Sequence, residues 1–140
     1  MVSVGRTKAE DPSRAVRYEA IGRALLKTAQ DLSELQDARY GNGIAIVSIH
    51  AAIALTDSLT VAYRQVKSTD GDHSRAADLL VHALGHRAED AQVRRLRGIL
   101  NAKSTASYSG TFYTVDDGIR VLNETRVYAD WAQGLIRSRP

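Results

Sequence analysis

Four histidines and one lysine near a helix end are the residues of this chain best suited to proton transfer or anion chemistry. Histidine titrates near neutrality, so it can act as acid, base or hydrogen-bond partner. His50 lies in the apolar run "GIAIVSIHAAIAL", and Asp57 and Arg64 follow it at seven-residue steps. Seven residues is close to two helical turns, so the three predict a polar line along an otherwise apolar helix. Such a line can face a cleft or a partner subunit, or it can form a structural hydrogen-bond network, which is the simpler reading. His73 follows Asp72 at an expected helix start. There it caps or braces the turn, and it is also the histidine best placed for proton transfer. His82 and His86 stand four apart and can share a face, but two ligands without a third make no metal site. The sequence has no "HExxH" and no cysteine, so neither a metal nor another cofactor is expected.

The stretch "ILNAKSTASYSG" places Lys103, Ser104 and Tyr108 at the end of an apolar helical run. Lysine can hold a phosphate as a point charge, although it lacks the planar fork of arginine. Tyrosine, with an ordinary pKa near 10, is a poor base at neutral pH. The plain reading makes Lys103 a solvated cation near the helix C-terminus and Tyr108 a ring that packs while its hydroxyl stays wet. The functional reading puts both in a groove. Arg87, Arg94, Arg95 and Arg97 make the same segment the most basic part of the chain, tempered by Glu89 and Asp90. A solvated face is the simpler reading of them, since phosphate contact needs a contiguous stripe. "YGNG" and "DGDH" are turn chemistry and lack the Lys-Ser/Thr ending of a phosphate-binding loop.

The elements that must position these groups are helices. At 140 residues with net charge +3 the chain is long enough for one domain with a sizeable core. Proline occurs only at Pro12 and Pro140, and no alternating pattern indicates a strand. The start, residues 1–12, reads as a charged, flexible segment without the apolar core of a signal peptide. Residues 13–140 then read as one domain. Its first helix is expected from about Ser13 to Arg39, with Val16, Ala20, Leu25, Ala29, Leu32 and Leu35 as its apolar stripe, and "YGNG" stopping it. The second runs from about Ile44 to Val66, the third from His73 to Leu84, the fourth from Ala88 to Tyr108. The fifth, from Thr114 to Ile136, is capped by Thr114 and faces inward with Ile119, Leu122, Val127, Trp131 and Leu135. Together they predict an all-α, up-and-down bundle of about five helices. The run around His50 is shorter than the roughly 20 residues of a membrane span, so no membrane contact and a cytoplasmic location are expected.

The order "SIHAAIALTDSLTVAYRQ", "GDHSRAADLL", "ILNAKSTASYSG" and "IRVLNETRVYADWAQGLI" resembles a HEPN domain, the higher eukaryotes and prokaryotes nucleotide-binding family, over roughly residues 15 to 136. The resemblance implies an all-α bundle that is commonly a homodimer, here through the second and fourth helices. Many members are metal-independent ribonucleases, often toxins paired with a nucleotidyltransferase-like antitoxin, and others lack activity. The nuclease members carry an arginine, a polar neighbour and a histidine four to six residues on, with two copies meeting at the dimer interface. Lys103, Ser104 and Tyr108 occupy those places, so the spacing is kept while both key chemical types change. The expectation is therefore a non-catalytic or weakly active interaction module associated with RNA or a nucleotide, in a toxin–antitoxin or defence pair with a nucleotidyltransferase-like partner protein. Lys103, Tyr108 and His73 would be the residues of any catalysis, and His50, Asp57, Arg64 and Ser104 would line a groove or interface. The alternatives are an active metal-independent ribonuclease, with Lys103 on the phosphate and His73 or His50 moving protons, and an unrelated helical scaffold.

Overall fold

The computed structural model describes residues 3–139. Five α-helices dominate: α1 (Ala15–Glu34), α2 (Gly41–Arg64), α3 (Ser74–Leu84), α4 (Asp90–Ser107) and α5 (Val115–Arg137). The all-α bundle is the fold. Its axis is α2, whose mean composition is apolar and whose Ile44, Ile49, Leu55, Leu59 and Val61 are fully buried. The other four helices pack around it. Its apolar excess therefore serves the core of this chain. Residues 38–64 form one helical stretch with an 18-residue window of mean hydropathy 1.8, longer than the quoted run suggested. Within that window 78% of the residues are buried inside the bundle, as in a core helix.

Three departures from the expected elements have clear causes. A short antiparallel ladder joins β1 (Thr7–Ala9) to β2 (Val66–Ser68), pairing Lys8 with Lys67. The segment 1–12 thus contains a strand fastened to the stretch that follows α2, where loose chain was expected. A three-residue ladder is too short to leave an alternating signature in sequence. The first helix ends at Glu34, with Gln36 in the left-handed region at φ 52°, and "YGNG" starts α2 instead of stopping α1. The inward face of α1 is also rotated from the expected stripe. Ala15, Gly22 and Ala29 are buried at seven-residue steps, while Val16 and Leu35 are exposed. Small residues face α2 because the two helices approach closely, so that a side chain at Gly22 would strike Leu55.

The remaining helices follow their patterns closely. Ala76, Leu79, Leu80 and Leu84 of α3, and Val93, Leu96, Ile99 and Leu100 of α4, are all buried. Thr114 caps α5 in a reciprocal box with Asp117. On α5 the buried ring is Tyr128, whose hydroxyl hydrogen-bonds Thr56 Oγ1 at 2.5 Å, whereas Trp131 is half-buried and Val127 exposed.

Candidate functional site

The N-terminal end of α3 and one side of α4 enclose an open groove of about 500 Å³. One wall is the loop and first turn Gly71, Asp72, His73 and Ser74. The other is set by helical spacing, since Leu100, Ser104 and Tyr108 lie at successive four-residue steps along α4, with Asn101 and Lys103 beside them. Four residues singled out from the sequence, Lys103, Ser104, Tyr108 and His73, therefore line one concavity.

Lys103 Nζ lies 2.5 Å from His73 Nε2. A lysine ammonium has only donors, so Nε2 accepts and the imidazole proton sits on Nδ1. His73 is the residue before α3, but its side chain makes no cap bond. It spans the groove to α4 instead. Burial lowers its pKa below the ordinary 6.5, and the nearby Lys103 and His50 lower it further, against a smaller opposing effect of Asp72. His50 approaches the same cluster from α2, and its pKa is lowered by burial and then by Lys103. The cluster sets Lys103 of α4 against His73, in the turn before α3, with His50 of α2 in the same field, and burial and the lysine both oppose a charge on either imidazole.

Asp72 gives the rim its negative charge. Its Oδ1 accepts hydrogen bonds from the Ser74 hydroxyl at 2.7 Å and the Ser74 amide at 3.1 Å, which hold the carboxyl below its usual range. The turn is braced by Asp72 and not, as expected, by His73, whose side chain is left for the groove. Tyr108 ends α4 with its ring 79% exposed, so the packed-ring reading does not hold.

The polar line on α2 does not converge on this groove. His50 comes near Lys103 and His73. Asp57 is buried beside Lys67, whose Nζ lies 3.9 Å away, at the attachment of the N-terminal strand. Arg64 is exposed and meets His82 Nε2 at 2.9 Å. Because α2 is central, each two-turn step brings its polar residue to a different neighbour. The basic segment is likewise divided: Arg95 pairs with Glu124, Arg97 with Asp78, and Arg87 stacks over Tyr63. No group of three or more histidine, aspartate or glutamate side chains able to hold a metal occurs among the described residues.

Sequence reasoning passed over Asn42, which fixes the connection after α4. Its amide nitrogen donates to the carbonyls of Ala106 and Thr111, both at 2.9 Å, and its oxygen accepts from the Tyr113 amide at 2.8 Å. The only sequence signal was an asparagine between two glycines, which reads equally well as a turn. No protein-family model matches the chain, and no curated protein matches it significantly.

The electrostatics of the cluster can be checked without a ligand. In an NMR titration of the histidine ring protons, His50 and His73 should both have midpoints below 6.5. Lys103→Ala removes the neighbouring positive charge, so both midpoints should rise, with burial still holding them down. Midpoints unchanged by Lys103→Ala would show that the three groups do not share a field.

Proposed function

We propose that this chain is a HEPN-like helical module that binds a phosphate ester of RNA or a nucleotide in the groove between α3 and α4, working as a homodimer. The observation that carries the proposal is the Lys103–His73 contact across that groove, with His50 alongside. A phosphate entering the groove would take the Lys103 hydrogen bond now made to His73. Its negative charge would also raise the pKa of both histidines, adding one or two cations when they protonate. The resemblance in order and spacing of the four sequence stretches supports the family and, through it, the homodimer and a nucleotidyltransferase-like partner. The mixed charge of the rim and the dispersal of the arginines favour recognition of a short stretch over tight general nucleic-acid binding.

The test is direct binding of a short single-stranded RNA at low salt. Lys103→Ala should weaken it about 10- to 100-fold, the usual cost of one charged hydrogen-bond partner. Binding should also tighten as pH falls from 7 towards 5, because the complex takes up protons that the free histidines lack. Unaltered affinity in Lys103→Ala, or no RNA binding by the wild-type chain, would overturn the proposal.

A second reading, RNA cleavage without metal, is favoured by one specific observation: one imidazole bonds Lys103 and a second lies within the field of the same lysine. One would remove the 2′-hydroxyl proton as that oxygen attacks phosphorus. The other, first protonated as the bound phosphate raises its pKa, would give that proton to the departing 5′-oxygen, leaving a 2′,3′-cyclic phosphate and a 5′-hydroxyl. Cleavage that persists in a metal chelator and is lost in His73→Ala would establish it.

A further inference from the structure

We infer that Tyr108 is a stacking platform for an unpaired nucleobase next to the phosphate position, so that the groove recognises a base together with its phosphate. This inference rests on the phosphate reading of Lys103 and adds the part of the ligand that chooses between phosphate esters. The ring is the most exposed large apolar side chain of the described residues, and it borders the same concavity as Lys103 and His73. Its hydroxyl has no hydrogen-bond partner among the described residues.

The backbone beneath the ring is held on every side. The Tyr108 amide bonds the Ser104 carbonyl at 2.9 Å, and the Ser109 hydroxyl donates to the Thr105 carbonyl at 2.7 Å. Asn42 clamps Ala106 on one side of Tyr108 and Thr111 on the other. An aromatic ring displayed on a fixed backbone loses little further freedom on binding, which favours a stacked partner. A flat π-face beside a phosphate-holding cation is the arrangement by which proteins take single-stranded nucleotides with little base preference. A base-paired duplex buries the faces that such a ring needs. The groove's volume of about 500 Å³ suits a nucleotide-sized group.

The ligand chemistry can come from a free nucleotide or from a single strand. The experiment compares four probes by fluorescence anisotropy or calorimetry: adenosine monophosphate, a short single-stranded oligoadenylate, an abasic strand of the same length, and the oligoadenylate paired with its complement. The oligoadenylate should bind the wild-type chain about tenfold more tightly than the abasic strand, the usual contribution of one stacked base. It should also bind more tightly than the duplex. Tyr108→Ala should erase the difference between oligoadenylate and abasic strand, and Tyr108→Phe should keep it, because stacking needs the ring and not the hydroxyl. Adenosine monophosphate binding with the same dependence on Tyr108 would assign the site to free nucleotides as well. Abasic and adenylate strands bound equally by the wild-type chain would overturn the stacking role while leaving the phosphate reading standing. So would a difference that survives Tyr108→Ala. If no strand binds, or if Lys103→Ala binds the abasic strand as the wild type does, the phosphate reading falls and the stacking inference falls with it.

Discussion

Asp57→Asn should make this protein more stable at pH 8, by between about 2 and 4 kcal/mol, while changing it little at pH 4. Asp57 is 7% exposed in the middle of α2, and burial raises its pKa from 3.8 to about 7. The groups facing it come from three other segments. Lys67 on β2 attracts the charged form at 3.9 Å, and Lys8 on β1 helps less, while Glu10, following β1, opposes it. Tyr128 of α5 is also close enough to feel the charge. A lysine at the outer limit of ion-pair distance does not repay the loss of water around a carboxylate, so burial wins. The sign follows directly. The folded-state pKa lies above the unfolded one, so the favourable contribution is complete below pH 3.8 and is lost as pH rises through about 7. A gap of about three units sets a ceiling of about 4 kcal/mol, and local relaxation brings the expected value below it. Asparagine keeps the shape and never carries the charge. Urea unfolding of both proteins at several pH values should show their difference growing between pH 4 and 7 and then levelling off. A variant less stable than wild type at pH 8 would mean that the Lys67 attraction outweighs burial, reversing the argument.

Helices with one apolar face were legible, and elements held by close backbone contact were not. The faces of α3 and α4 could be read residue by residue because Leu and Val at three- and four-residue spacing leave one solution. On α1 the same rule was half right: Ala29 is buried and Leu25 and Leu32 partly so, whereas Val16, Ala20 and Leu35 are exposed. Its buried positions Ala15, Gly22 and Ala29 are small because α2 lies close, and small residues carry almost no hydropathy signal. The candidate site divides in the same way. Lys103, Ser104 and Tyr108 are neighbours on one helix, so their spacing alone placed them together. That His73 and His50 reach the same cation depends on how α3 and α2 cross α4, which local periodicity does not encode. Asp57 and Arg64 share a line with His50 in sequence, yet only His50 comes near Lys103 and His73, because each seven-residue step advances about 10 Å along α2 and so reaches a different neighbour.

Gly41→Ala should destabilise the protein by about 3 kcal/mol or more, a fall of roughly 10 °C in melting temperature. A Cβ at Gly41 would lie 2.0 Å from the Tyr113 carbonyl oxygen and 2.4 Å from that of Thr114. Both are backbone atoms at the entry to α5, so neither can swing aside as the tip of a flexible side chain can. The contact is reciprocal, since a Cβ at Gly118 would meet the Gly41 carbonyl oxygen at 2.5 Å. The two helix starts thus touch backbone to backbone, and adding a methyl group must push α5 away from α2. Asn42, the next residue, holds the connection that carries Tyr108, so the same displacement should loosen the groove's aromatic edge. Gly43 supplies the control within the same helical turn. Nothing lies within 4 Å of a Cβ placed there, so Gly43→Ala should gain about 0.5–1 kcal/mol from reduced freedom of the unfolded chain. Thermal unfolding of the two variants should therefore move in opposite directions from wild type. Equal shifts would show that helix propensity and not the α2–α5 contact governs this turn. Opposite shifts would tie the placement of the groove's rim to one pair of glycines.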